Sequence, residues 1–408
     1  MTSEFSDFSE RLHEFIRCKS SEAAFGVQPS GCWAGNGAEA RTSTEVADAE
    51  FNALAVKLFA LQFKHNAPYR RICEARNATS ATVKHWTQIP AVPTAAFKEL
   101  ELSCLPPQER TAVFYSSGTA GQRPSRHFHC AGSLEIYEAS LLPWFTAHVM
   151  PKHLTPDPWR LALLTPPPPQ APHSSLVHMF ETIRRKFGAP ESAFTGKTAS
   201  DGAWTLDLDA SLARLAGNSK LETRNSKLIL GTAFSFVHLL DFLAEENLRF
   251  NLPSGSRVME TGGYKGRSRR LPKSELHRLI GERLGIPPTH IVCEYGMSEL
   301  SSQAYDGKGS RVEGRGWSAG SAAATQNPKP ETRNFHFPPW ACVQIISPET
   351  GREVAAGETG LLRIVDLANV FSVMAIQTED LGLRRSDGFE LIGRAATTEP
   401  RGCSLMAV

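Results

Sequence analysis

The most constraining feature of the sequence is a repeated passage from a short apolar segment, through a turn, into a helix-forming stretch. Leu228-Ile229-Leu230-Gly231 is followed by a helical pattern through Phe234, Val237, Leu240 and Leu243. Val258-Met259-Glu260 leads into Gly262-Gly263, and Ser274–Leu284 is then helical up to Pro287-Pro288. His290–Cys293 is a strand that ends at Glu294-Tyr295-Gly296. Upstream, Leu161–Leu164 is stopped by the prolines at 166–169 and precedes a helix with apolar Val177, Phe180 and Ile183. The two hydrophobic periods, short runs and three-or-four-residue steps, argue for strands alternating with helices. Such a chain buries its apolar faces as a layered α/β structure, with helices packed on a sheet.

The pattern changes along the chain. Residues 1–45 are weakly patterned and read as a variable N-terminal segment, with GCWAGNGAEARTST as loop. From Val46, residues Phe51, Leu54, Ala55, Leu58, Phe59 and Phe63 predict an amphipathic helix that stops near Asn66-Ala67-Pro68. Ile89-Pro90-Ala91-Val92-Pro93 is extended, and Thr94 is placed to cap a short helix through Phe97. Thr111 to Tyr115 reads as a strand. The core is expected over 46–306, and the Gly-, Ser-, Ala- and Arg-rich stretch 307–334 is expected as a long loop. Residues 335–408 are strand-rich (Val343–Ile346, Leu361–Val365, Phe371–Ala375, Phe389–Ile392), with turns at ETGRE, AAGETG and SDGF. They predict a small C-terminal β-subdomain.

Composition narrows the class. Lys and Arg number 44 against 42 Asp and Glu, which gives no reason to expect a nucleic-acid or membrane-surface partner. No apolar run approaches the roughly 18 residues of a membrane span, and MTSEFSDFSERLHEF has no signal-peptide core. A cytoplasmic enzyme is the expectation. The 8 cysteines form no CxxC or CxxH pair, so neither a structural zinc site nor a disulfide framework is expected.

Three elements can carry chemistry. Tyr115-Ser116-Ser117-Gly118-Thr119-Ala120-Gly121 is a run of small hydroxyl residues and glycines. Its backbone N–H groups can surround phosphate oxygens, although the hexapeptide Ser116–Gly121 also suits an ordinary polar turn. It is not a Walker A loop, because no Gly-Lys-Ser/Thr follows. Tyr295-Gly296-Met297-Ser298-Glu299 can offer an aromatic ring and a carboxylate for magnesium, or be a strand end before a helix capped by Ser298. Thr378-Glu379-Asp380-Leu381-Gly382, followed by Gly393-Arg394, can take ribose hydroxyls or be an acidic β-turn.

In this order and spacing the three elements resemble the adenylate-forming superfamily of acyl-CoA synthetases and adenylation domains. The chain is more closely similar to the acyl-protein synthetase family. Asn66-Ala67-Pro68-Tyr69, Ile89–Pro93 with Phe97-Lys98, Gly262-Gly263-Tyr264-Lys265-Gly266 and the terminal Arg401-Gly402-Cys403-Ser404-Leu405 carry that likeness, from about residue 50 onward. The resemblance implies ATP and Mg²⁺ as cofactors. Ser116, Ser117, Gly118, Thr119 and Gly121 would bind phosphates. Gly262, Gly263 and Tyr264 would lie along one face of adenine and Tyr295 on the other, with Gly296, Met297 and Ser298 beside them. Asp380 would take the ribose, Arg394 would lie next to it, and Glu299 would hold the metal.

Members of the wider superfamily continue past Gly-Arg into a mobile domain that supplies a catalytic lysine. This sequence stops 14 residues after Arg394, so that domain and its lysine are expected to be missing. Lys265 is the candidate replacement, or else a loop lysine in a basic patch. Cys403 is the candidate thiol acceptor, or else a terminal cysteine with no role. His178 and Phe234 are candidates for the acyl pocket, although His178 reads first as a satisfied helix histidine. The implied reaction makes an acyl-adenylate, with fatty acid as the expected substrate, and transfers the acyl group to a protein thiol. That thiol would be Cys403, a reductase partner's cysteine or a carrier protein. The rival readings are an aryl or amino-acid adenylating ligase and a non-catalytic nucleotide-binding scaffold.

Overall fold

A computed structural model describes residues 3–24, 38–116, 123–150, 158–216, 226–262, 269–307 and 333–395. The helices are Ser3–Ala24 (α1), Ala38–His65 (α2), Ala67–Glu74 (α3), Ala96–Glu99 (α4), Ala131–Val149 (α5), Ser175–Phe187 (α6), Leu208–Ala216 (α7), Ala233–Glu245 (α8) and Lys273–Leu284 (α9). The strands are Val92–Pro93 (β1), Ala112–Tyr115 (β2), Arg126–His129 (β3), Arg160–Leu163 (β4), Ala193–Phe194 (β5), Gly196–Thr198 (β6), Trp204–Leu206 (β7), Lys227–Thr232 (β8), Arg257–Thr261 (β9), Ile291–Tyr295 (β10), Ala304–Gly307 (β11), Asn334–His336 (β12), Ala341–Ile346 (β13), Thr359–Asp366 (β14), Ala375–Arg385 (β15) and Gly388–Arg394 (β16). None of the described helices is long and apolar enough to cross a membrane.

The main sheet runs β13-β14-β15-β16-β12-β11-β10-β9-β8-β4-β5. The half from β10 to β5 is parallel, and from β10 to β13 each pairing is antiparallel. Alternation along the parallel strands splits the core. Leu228 and Leu230 join Phe145, Phe180 and Ile183 on one face. Ile229, Val258 and Ile291 meet Phe236, Val237, Leu276 and Ile280 from α8 and α9 on the other. Both faces of these strands are therefore covered, which is why their sequences read as continuous apolar runs.

The strands of the C-terminal stretch continue this same sheet: β11 pairs with β10 and β12, and β12 with β16. β15 begins only at Ala375; Phe371 and Met374 instead lend their carbonyls to Cys104 and Asp366 as part of a turn. The Thr378–Gly382 acidic stretch lies inside β15, not between strands. Gly382 is there for packing, since a Cβ at that position would meet Leu362 of the neighbouring strand.

Helix begins further toward the N-terminus than the apolar pattern predicts. α1 buries Phe5, Phe8, Leu12 and Ile16 at helical spacing, with Phe5 5.0 Å from the ring of Phe371. α2 stops at His65, where Asn66 caps α3 by accepting from the Tyr69 amide at 3.1 Å. Thr94 does not cap α4 with its side chain; its carbonyl accepts from the Phe97 amide.

The Ile89–Pro93 segment is held through its carbonyls. Arg363 donates to Ile89, Tyr69 to Pro90 at 2.9 Å, and Arg76 to Ala91 at 2.8 Å, while β1 pairs in parallel with β15. Buried Gln62 of α2 bonds the same C-terminal region at both ends of its amide, giving a proton to Asn369 and taking one from Met374.

Candidate functional site

The chemistry-bearing residues gather at the carboxyl ends of the parallel strands, the usual ligand crevice of an open α/β sheet. β10 delivers Tyr295 to this edge. The ring is 7% exposed and packs near edge-on against Phe335, Phe337 and Phe389. Its hydroxyl donates to Asp380 Oδ2 at 2.9 Å. Arg394 of β16, opposite Asp380 in the β15–β16 pairing, donates from Nε to Asp380 Oδ1 at 3.2 Å. Tyr295, Asp380 and Arg394 are thus one cluster, although Tyr295 and Asp380 lie 85 residues apart.

Beyond Tyr295 the chain forms a turn, not a helix, so Ser298 is not a helix cap. Gly296 is exposed at the edge, Met297 is half-buried, and Ser298 and Glu299 are buried. Three elements fix this turn. His127 of β3 donates from Nδ1 to the Ser298 carbonyl at 2.9 Å; burial pushes the imidazole down to about 4, so it is neutral at physiological pH. Ser125 and Ser298 donate to the two oxygens of the Glu299 carboxylate. Asn369 donates to the Glu299 carbonyl at 2.8 Å, and Asp366 accepts from the Ser301 and Ser302 amides and the Ser302 hydroxyl. Burial raises the Asp366 acid, and these donors oppose the rise. None of Ser125, His127, Asp366 and Asn369 stands out in the sequence; only the R-H-F-H alternation at 126–129 hints at His127.

Ser116 closes the β2–β3 hairpin: its hydroxyl accepts from the Ser125 amide at 2.9 Å. Ser117, Gly118, Thr119 and Gly121 lie outside the described residues, as do Gly263, Tyr264, Lys265 and Cys403. Gly262 is described at the end of β9, with φ +70°, a conformation that favours glycine.

Beside the site Glu294 points to the α5 side of the sheet. Thr261 donates to its carboxyl, and burial pushes the acid up to about 7. A Cβ on Gly296 would strike Glu294 Oε1, so the glycine makes room for this side chain. Behind the sheet a paired network surrounds Cys293. Burial opposes charge on Glu260, yet the His277 hydrogen bond and nearby Lys273 hold it below the usual carboxylate range. Lys273 in turn contacts Asp306 at 3.2 Å.

His178 and Phe234 are not joined to this cluster by any hydrogen bond or ring contact among the described residues. His178, on α6, packs 5.3 Å from Phe114 and from Tyr137, and burial lowers its pKa. Phe234 is half-buried at the start of α8, against His238. The neighbouring Phe236 is core, fully enclosed under α8. Cys18, Cys73, Cys104, Cys130 and Cys293 are free thiols.

The donor set around Glu299 suits a hard cation. Carboxylate and hydroxyl oxygens are what Mg²⁺ prefers, and it commonly takes one or two protein carboxylates and completes its shell with phosphate and water. No group of three or more metal-ligating side chains occurs among the described residues, so an all-protein metal cage is not offered there.

Residues 40–306 match the family described as acyl-protein synthetase, LuxE. The long-chain-fatty-acid–luciferin-component ligase of Vibrio harveyi is 23% identical, over 84% of this chain and 83% of that protein. The protein of the same name from Aliivibrio fischeri is 21% identical, over 85% of each. Among solved structures, an open conformation of 2-hydroxyisobutyryl-CoA ligase in complex with 2-HIB-AMP and CoA is similar in fold. Its TM-score is 0.57 at 13% identity, covering 88% of this chain and 76% of that one. The match over residues 40–306 is the larger part of the sequence, and the chain belongs to the acyl-protein synthetase family, built on the α/β fold of the adenylate-forming ligases.

Proposed function

We propose that this chain activates a carboxylic acid with ATP as an acyl-adenylate and passes the acyl group to a protein thiol, a long-chain fatty acid being the substrate. The observation that carries the reading is the meeting of Tyr295, Asp380 and Arg394 at the carboxyl edge of the sheet, with Glu299 four residues along the chain from Tyr295. A carboxylate offers about four acceptor positions. Tyr295 and Arg394 take one each on Asp380, which leaves room for two ribose hydroxyls. The family match and the fatty-acid ligases of similar sequence support the substrate class.

In the first step a carboxylate oxygen of the acid attacks the α-phosphorus, the bond to the β-phosphate oxygen breaks, and pyrophosphate leaves. No general base is needed, because the nucleophile is already ionised. Two anions must meet, so positive charge has to offset them in the transition state. Glu299 would hold Mg²⁺, which when bound neutralises phosphate charge. Ser116, Ser117, Gly118, Thr119 and Gly121 would take the phosphates, and Lys265 would supply a further cation. Gly262, Gly263 and Tyr264 would flank the base. His178 and Phe234 would border the acyl chain. In the second step the Cys403 thiolate attacks the acyl carbon, the acyl–phosphate bond breaks, AMP leaves, and a thioester remains.

ATP–pyrophosphate exchange across a panel of carboxylic acids, followed by radiolabelled acyl transfer, tests this reading. Exchange with a long-chain acid and a label on the protein that is lost in Cys403→Ser are expected. Label that survives the substitution excludes Cys403 as acceptor and points to another thiol. Absence of exchange with every acid, despite ATP binding, overturns the ligase reading.

A further inference from the structure

Glu299 is a buried carboxylate that forms no ion pair among the described residues, and hydroxyls compensate it instead. Ser298, its neighbour in sequence, donates to Oε2 at 3.0 Å. Ser125, 174 residues away, donates to Oε1 at 2.5 Å. Ser125 is 1% exposed and Glu299 5%. The same residue closes the β2–β3 hairpin, since its amide donates to Ser116 Oγ and its carbonyl accepts from the Ser116 amide at 3.3 Å. Two residues on, His127 donates to the Ser298 carbonyl. The hairpin therefore grips the Glu299 turn through one side chain on the carboxylate and one on the backbone.

We propose that Ser125 is a positioning residue that sets the Glu299 carboxylate for a divalent cation carried by the nucleotide. This rests on the reading of Glu299 as the metal-binding carboxylate. A buried charge without a donor is costly. A hydroxyl bond to Oε1 satisfies that oxygen and fixes the plane of the carboxylate. Groups that bond a metal ligand from behind commonly matter about 10- to 100-fold for metal affinity. Ser125 acts from the hairpin, holding the carboxylate with its side chain and Ser116, at the start of the glycine-rich run, with its backbone.

The test is a fluorescence titration of N-methylanthraniloyl-ATP into the full chain, once with Mg²⁺ and once with EDTA. Glu299→Gln is expected to lose the Mg²⁺-dependent part of the affinity. Ser125→Ala is expected to weaken binding about tenfold or more with Mg²⁺ and by less than about twofold in EDTA. Ser125→Thr keeps the hydroxyl and is expected to recover the metal-dependent affinity, which separates positioning from a fold defect. The double variant is expected to bind no more weakly than Glu299→Gln alone. A Ser125→Ala variant as responsive to Mg²⁺ as the parent overturns the role of Ser125 while leaving that of Glu299. Equal weakening with Mg²⁺ and EDTA also overturns it, as a purely structural effect. A Glu299→Gln variant that keeps its Mg²⁺ response overturns both readings.

Discussion

Glu294→Gln is expected to stabilise the protein above neutral pH and to leave it unchanged in mild acid. Burial raises the Glu294 acid from the ordinary 4.5 to about 7 in the folded chain. At pH 4 folded and unfolded chains are both largely protonated there, and the group is neutral in its site. As pH rises from about 4.5 to about 7 the unfolded chain releases this proton first, so folding loses free energy across that window. Above it the loss is complete. At roughly 1.4 kcal/mol per pH unit, the gap gives about 3 kcal/mol. Glutamine has the same shape, no charge to bury, and an amide oxygen that can accept the Thr261 proton. The stability difference between variant and parent should therefore grow from near zero at pH 4 to about 3 kcal/mol at pH 8. With about 2 cal/mol/K of unfolding entropy per residue, that is roughly 3–4 °C in Tm for a chain of this length. Urea unfolding followed by tryptophan fluorescence, repeated from mild acid to pH 8.5, measures it. A difference that stays flat with pH, or a variant that becomes less stable than the parent as pH rises, would refute the assignment of a buried neutral acid.

Two further perturbations probe other parts of the molecule. Asp380→Ala removes a charged acceptor and is expected to weaken ATP binding by about tenfold or more, with the circular dichroism spectrum unchanged; equal ATP affinity by calorimetry would sink the ribose assignment. Gly196→Ala would place a Cβ 2.7 Å from the Thr165 carbonyl oxygen and 2.6 Å from Pro166 N, both backbone atoms. It is expected to cost about 1–3 kcal/mol in urea unfolding, and an unshifted midpoint would contradict the close approach.

The parallel half of the sheet was legible because its strands are buried on both faces and its helices carry apolar steps. Leu228–Gly231 and Val258–Glu260 needed no tertiary information to be read as strands. The N-terminal helix carried a signal too, Phe5, Phe8, Leu12 and Ile16, but polar residues fill most of the positions between them and make the apolar stripe narrow. The beginning of α2, AEARTSTEVADAE, has no apolar period at all, so nothing local marks it. The strand β15 was obscured by Gly382, a residue that reads as a turn but serves cross-strand packing. In the site, Tyr295, Glu299, Asp380 and Arg394 could be singled out by order and spacing. The residues that hold them were not. Ser125, His127 and Asn369 meet the Glu299 turn across sequence separations of 174, 171 and 70 residues, and single hydroxyl, imidazole and amide groups leave no pattern.

The bonds from Gln62 to Asn369 and Met374 span 307 and 312 residues, and β1 rests on β15. During synthesis, α2, α3 and the Ile89–Pro93 segment emerge long before the strand that completes them. At ordinary elongation rates of about 5–20 residues per second, the first third of the chain waits some tens of seconds for its last partners. The parallel half, whose strands follow one another closely in sequence, has emerged in full before β15 is made. A ribosome-stalled chain ending before residue 375 should accordingly leave the Ile89–Pro93 segment open to proteases that spare it in the finished protein.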